Sequence, residues 1–206
     1  KTTLLEPAFT DFQRVETLVL ESTYGGVEDI MPPRQEAERQ LMEVVNRTME
    51  RGGACLIPSF SVERAQDVMA ILVENNFHHT VFIDGMIWDA TGIYTAYPEY
   101  LARNIQKKIF SNQDPFLSDI FKRIASAADR EKSWEEKPCV IISTSGMLVG
   151  GPAIEHLKAL AENKNNTLIF VGYQAEGTMG RRIQKGWKEI PFRSENGKTA
   201  SMSLNM

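Results

Sequence analysis

Five short apolar runs alternate with longer amphipathic stretches, and this alternation constrains the fold more than any other feature of the chain. The runs are residues 15–20, 54–58, 80–83, 138–142 and 167–171. After Pro33, Leu41, Met42, Val45 and Met49 recur at spacings of three and four and stop at Gly52-Gly53. That is the pattern of a helix opened by proline and closed by glycine. Ser61 to Arg64 reads as the cap of a second helix, with Val68, Ile71 and Leu72 on its apolar face. Residues 86–110 read as helical pieces broken at Gly92 and Pro98. Residues 116–128 read as an amphipathic helix with Phe116, Ile120, Phe121 and Ile124 on one face. No strand is expected within residues 86–137, and the charged stretch 129–137 is expected in solvent. Helices are also expected at 153–161 and from Met179, and residues 190–206 have weak strand character. Strands alternating with helices of this length imply βαβ units and a mainly parallel sheet. Strands apolar along their whole length imply helices on both faces. The expected class is therefore α/β, with a mainly parallel, doubly wound sheet.

The chain has 206 residues, 23 Lys and Arg against 27 Asp and Glu, and a net charge of -4. A chain of this size buries about 70% of its unfolded surface and needs no disulfide or metal to hold it. A hydrophobic content of 42% and a charged content of 24% exclude wholesale disorder. No apolar run approaches the roughly 18 residues of a membrane span, and no signal peptide is visible. Cys55 and Cys139 each lie in an apolar run and read as buried free thiols of a reducing compartment, the cytoplasm. The chain opens on Lys1 rather than Met, so it is expected to be a piece of a longer protein. The three histidines, His78, His79 and His156, offer no metal site. Catalytic zinc needs three converging ligands, and none converge here. His156 reads as a surface or packing residue.

In open α/β sheets, ligands bind beyond the carboxyl ends of the strands. The five exits begin at Glu21, Ser59, Asp84, Ser143 and Gly172, and all are rich in hydroxyls, glycines and charges. The fourth, Ser143-Thr144-Ser145-Gly146-Met147-Leu148-Val149-Gly150-Gly151-Pro152, suits a phosphate cradle. Small residues let the backbone approach an anion. It equally suits a tight strand-to-helix turn that simply needs glycine. The fifth carries Thr178 and Arg181-Arg182, guanidinium forks for phosphate or a solvated basic pair. Glu21 and Asp84 are acidic candidates, although Asp84-Gly85 is also a strong turn dipeptide. Gly172 to Gly177 has P-loop spacing, but Thr178 stands where lysine is required. Gly-x-Gly-x-x-Gly and Gly-x-Ser-x-Gly motifs are absent.

Several strings resemble the β-CASP ribonucleases of the metallo-β-lactamase superfamily. They are Glu21-Ser22-Thr23-Tyr24-Gly25, Arg51-Gly52-Gly53, the stretch from Ile57 through Ser59, Phe60 and Arg64 to Gln66, the Ser143–Pro152 string, and the string from Gly172 to Thr178. Within that family the pattern is most similar to archaeal homologues of the cleavage and polyadenylation specificity factor nuclease subunit. The resemblance covers nearly the whole chain, in order. It implies an RNA-binding lid inserted into a metallo-β-lactamase domain, with the RNA cleft between them. It implies a zinc-dependent ribonuclease as the parent, acting in RNA 3′-end processing, with both zinc ions held by residues outside this chain. A zinc-activated hydroxide would attack the phosphodiester. Residues 1–22 would be the end of the metallo-β-lactamase domain, 23–189 the β-CASP domain, and 190–206 the strand returning from it.

The resemblance places Glu21 at the family's first acidic motif, in the catalytic region and orienting a partner rather than binding zinc. It places Arg182 where eukaryotic members carry histidine. Arginine there could hold a phosphate but would not shuttle protons near neutral pH. RNA or phosphate contacts are expected from Ser59, Arg64, Ser143, Ser145, Gly146, Thr178, Arg181 and Arg182. Single-stranded RNA also needs stacking partners. Tyr24, Phe60 and Tyr173 lie at strand ends, with Phe60 read as core. The implied partners are single-stranded RNA, the flanking domain and a second parent subunit, with no membrane. A scaffold subunit of the same machinery and a small phosphate-ligand α/β domain are the alternative readings.

Overall fold

The computed structural model describes residues 4–193 and 199–206. Its centre is an all-parallel sheet of β1 (Ala54–Pro58), β2 (Thr80–Asp84), β3 (Phe121–Arg123), β4 (Cys139–Ser143) and β5 (Thr167–Leu168), in the order β3-β2-β4-β1-β5. Every residue of β1 and β4 is buried. Alternation along the strands sorts their side chains into two cores. Cys55, Ile57, Val81, Ile83, Val140 and Ile142 face one side, packed by α1 (Arg34–Glu50) and α2 (Arg64–Glu74). Leu56, Phe82, Cys139 and Ile141 face the other. That side is covered by α6 (Pro152–Leu160), with Trp134 of α5 (Ala127–Glu135) and Met179 and Ile183 of α7 (Met179–Gln184). The antiparallel pair β6 (Glu189–Arg193) and β7 (Thr199–Ser203) adds Ile190 and Met202 to the same layer. This is the doubly wound parallel sheet that the apolar strands imply.

A shared C-terminal signal ends several of the helices. After α1, the Gly52 N–H reaches the Met49 carbonyl at 2.9 Å and the Gly53 N–H reaches Thr48 at 3.0 Å. Gly52 has φ of 69°. Asn76 does the same after α2, and Asn112 after α4 (Arg103–Phe110), with φ of 52° and 57°. This double closure satisfies carbonyls that the helix leaves open, and it needs a left-handed residue, glycine first and asparagine second.

Several expectations are corrected. Residues 15–20 form no strand and lie in solvent, because no described strand runs beside them to take up their backbone groups. Residues 116–128 are not one helix. The Ile120 carbonyl accepts the Val81 N–H at 2.8 Å and the Ile124 N–H reaches Ile83 at 2.9 Å. The open edge of β2 thus draws Phe121–Arg123 into the sheet, and a strand exists where none was expected. The charged stretch 129–137 keeps to solvent as expected, apart from buried Ser133, and most of it forms α5. Gly92 does not break its helix; it sits inside α3 (Ile87–Ala96) on the solvent side. Ser61 is not a side-chain cap. The chain turns through Glu63, at φ of 70°, and the Ser61 carbonyl accepts Gln66 Nε2 at 2.9 Å. The fifth strand is shorter than expected: beyond Leu168 the Ile169 N–H still reaches the Leu56 carbonyl, and then the chain leaves the sheet. The weak strand character of the tail becomes β6 and β7.

Candidate functional site

The neighbouring strands β1 and β4 send their chains in opposite directions. From β1 the chain passes through α2 on one face to β2, and from β4 through α6 on the other face to β5. Such a reversal opens a crevice at the carboxyl ends of the two strands, where open α/β sheets bind ligands. Here the crevice is floored by backbone. The Ser59 N–H meets the Ser143 carbonyl at 2.9 Å. Gly146 lies so close that a Cβ would sit 3.0 Å from the Phe60 nitrogen and the Ser59 carbonyl carbon. Glycine is required there by close approach, not by dihedral angle.

The β5 exit is fastened to this floor. Gln174, buried, donates through Nε2 to the Gly146 carbonyl at 2.9 Å. The Gly180 N–H meets the Met147 carbonyl at 3.2 Å. Thr178 caps α7: its hydroxyl accepts the Arg181 N–H at 3.2 Å and donates to the Ala175 carbonyl at 2.7 Å. Ser59, Ser143, Ser145, Gly146, Thr178, Arg181 and Arg182 therefore belong to one connected edge. Their side chains differ from expectation. Ser59 and Ser143 are buried, with hydroxyls turned to the carbonyls of Phe60 and Thr144, so a ligand meets backbone rather than those hydroxyls. The Ser145 hydroxyl is held by the Val149 N–H. Arg181 pairs with Glu176 at 3.1 Å. Phe60, read as core, is 48% exposed. Tyr173 is exposed too and meets Tyr24 edge to face at 5.8 Å, which brings the N-terminal arm to this edge.

Two expected residues make contacts of other kinds. Arg64 pairs with buried Asp67 at 3.2 Å, and Arg34 holds the same carboxylate at 2.8 Å. These groups line a cavity of about 670 Å³ between α1, α2 and residues 169–172, floored by Leu41, Val68 and Ile71. Glu21 lies in solvent on the arm, and its carboxylate accepts the Thr23 N–H at 2.9 Å, which lowers its pKa.

A buried polar chain at the end of β2 escaped the reading of the sequence. Trp134 Nε1 donates to His156 Nδ1 at 2.8 Å. Nδ1 is thereby the acceptor, so Nε2 carries the proton and donates to Asp84 Oδ2, also at 2.8 Å. Asp84 further accepts Arg130 Nε at 2.7 Å and the Gly85 N–H at 2.7 Å. Burial alone would raise the Asp84 carboxyl, but the bonds from His156 and Arg130 outweigh it and bring the pKa down to about 2. Burial pushes His156 below its ordinary 6.5, against the pull of Asp84. Gly85 does turn the chain after Asp84, at φ of 79°, and His156 is a packing residue rather than a surface one, but the two also form a buried, bonded pair. No sequence spacing announces it, since residues 84, 130, 134 and 156 come from three separate elements, β2, α5 and α6. Gln174 stands inside the string from Gly172 to Thr178, and nothing in its spacing marks it as the residue that fastens the β5 exit.

Cys55 and Cys139 are free and buried, and burial pushes their thiols up to about 11 and about 12, so both are unreactive. Among the described residues no three His, Cys, Asp or Glu side chains converge as metal ligands. No helix among the described residues is long and apolar enough to cross a membrane.

The β-CASP domain profile matches residues 65–183, more than half of the chain. Among curated relatives, the transcription termination factor FttA of Methanocaldococcus jannaschii is 54% identical over 209 aligned positions, covering 98% of this chain and 33% of that protein. The same factor from Thermococcus kodakarensis is 49% identical, covering 100% and 33%. That of Lokiarchaeum sp. is 44% identical, with the same coverage. The chain spans about a third of the length of these relatives.

Proposed function

This chain belongs to the β-CASP family, and from that premise we propose that it is the RNA-binding lid of a larger zinc-dependent ribonuclease. The parent would act in the cytoplasm, in RNA 3′-end processing or transcription termination. The second role is suggested by the name of the relatives. The observation that carries the reading is the crevice between the exits of β1 and β4. It is floored by backbone, fastened to the β5 exit, from which α7 carries Arg182, and flanked by exposed aromatics. Backbone N–H groups and guanidinium edges suit phosphates, and exposed rings suit bases. A slight negative net charge does not oppose this, because only the local field at the edge matters.

Residues 1–22 are proposed as the end of the flanking metallo-β-lactamase domain, 23–189 as the lid, and 190–206 as the return towards that domain. The arm supports a flanking domain, and its exposed apolar stretch runs past residue 22 to Met31. From Phe9 to Met31 it carries large apolar side chains in solvent, Val19 at 92% exposure, as a surface that another domain covers. Glu21 is proposed to orient a group of the active centre, whose zinc ions the flanking domain would hold.

Two measurements test the proposal. Single-stranded RNA should bind the full-length protein with a steep salt dependence. Arg182→Ala should reduce the slope of log affinity against log salt by about one, one phosphate contact. An unchanged slope removes Arg182 from the interface. Zinc analysis of the 206-residue chain should find no stoichiometric metal; two bound ions with RNA cleavage would overturn the lid assignment.

A further inference from the structure

Helix α7 ends on a device that sets an indole over a guanidinium. Gly186 follows the helix with φ of 93°. Its N–H reaches the Ile183 carbonyl at 2.9 Å, and the Trp187 N–H reaches the Arg182 carbonyl at 3.1 Å. This closure folds the residue after the glycine back on the residue three places inside the helix end, and a hydrophobic contact usually forms there. Here the contact is Arg182 lying over the Trp187 ring, its guanidinium carbon 4.9 Å from the ring centroid. Stacking of a planar cation on the ring face holds both groups in one orientation.

Three further observations give the pair a purpose. Trp187 is 46% exposed, although its ring is the largest apolar surface a side chain offers. Among the described residues no carboxylate pairs with Arg182, whereas Arg181 on the same helix and Lys185 at its end both pair with Glu176. Finally, Gly180, two residues before Arg182, bonds to Met147 of the crevice loop, so α7 rises from the candidate site itself.

We propose that Trp187, braced by Arg182, is a stacking platform for one base of single-stranded RNA next to the crevice. The inference rests on the RNA-binding reading and assigns a residue that neither the motifs nor the family resemblance singled out. The base would lie on the exposed part of the indole, and the adjoining phosphate would meet the edge of the guanidinium. Any base has a π face, so the platform would be indifferent to sequence.

The test uses the full-length protein, a short labelled oligouridylate and a strand of equal length with abasic sugars. Trp187→Leu should weaken RNA binding about tenfold, while Trp187→Phe keeps most of the affinity. The abasic strand should bind the unmodified protein about as weakly as RNA binds Trp187→Leu. The salt slope of Trp187→Leu should equal that of the unmodified protein, because no phosphate contact is lost. Thermal midpoints of both variants, if unchanged, separate lost stacking from misfolding. If RNA binds the unmodified protein and Trp187→Leu equally well, or the abasic strand binds as tightly as RNA, the platform is overturned alone. If Trp187→Phe loses as much as Trp187→Leu at an unchanged midpoint, it is also overturned, in favour of an indole N–H contact. If the unmodified protein binds no RNA, the RNA reading falls and the platform with it.

Discussion

Residues 15–20 and strand β4 are apolar runs of similar length, and the structure treats them in opposite ways. Strand β4 is wholly buried, with β1 and β2 hydrogen-bonded on either side and a helical layer on each face. Among the described residues, 15–20 have none of these neighbours, and they lie in solvent. An apolar run is thus only a strand in waiting. It needs ladders for its backbone and covered faces for its side chains, and burial rather than composition supplies the stabilisation. Charge behaves the same way. Glu21 on the arm is solvated, while Asp84 at the end of β2 is buried and held by Arg130 and His156.

Substitutions in the two regions should separate them, and the largest effect belongs to the core. Ile141→Ala in β4 opens a cavity at a fully buried site and should cost about 4 kcal/mol, read from the urea midpoint of the 206-residue chain. A loss under about 1 kcal/mol would mean that the sheet centre is not the core described. Asp84→Ala strands Arg130 and His156 and should cost about 3 kcal/mol, less than a fully enclosed pair because Arg130 keeps some access to water. Asp84→Asn, which keeps the acceptor, should cost less.

The same network makes the core acid-sensitive. The folded pKa of Asp84 is about 2 against 3.8, so its contribution is complete above about pH 4 and fades as the pH falls through about 2. The folded pKa of His156 lies below 6.5, so the unfolded chain takes that proton first. Stability is therefore lost as pH drops below 6.5, in the same direction. Trp134→Phe removes the donor to Nδ1, should cost about 2 kcal/mol at neutral pH, and should flatten the pH dependence just below 6.5, because Nδ1 can then be protonated. Equal pH profiles for the two proteins would break the tautomer assignment. The smallest effect belongs to the arm. Val19→Ser should change the stability of the 206-residue chain by no more than about 0.5 kcal/mol. A loss comparable to Ile141→Ala would place the arm in the core.

What could be read in the sequence follows from how local each signal is. The bounds of β1 were legible because five apolar residues stand between a glycine pair and a serine-rich exit. The short strand β3 was not, since Phe116, Ile120 and Ile124 have helical spacing and only the vacant edge of β2 overrides it. The glycines of the fourth exit marked the crevice, but not that Gly146 rests on the backbone of Ser59 and Phe60. Arg182 was named for its charge, whereas its ring partner depends on the turn at Gly186.

By itself the sequence determined the α/β class, the two-faced parallel sheet, the glycine stop of the first helix and the family, because periodicity, turn residues and motif strings act over a few neighbouring positions. Only the tertiary structure decided which groups lose water and which keep it. Burial turned Asp84 and His156 from two ambiguous residues into one bonded pair, turned the Ser59 and Ser143 hydroxyls inward, and left Phe60 and Trp187 in solvent. Desolvation depends on neighbours brought together from distant parts of the chain, and no local pattern encodes it.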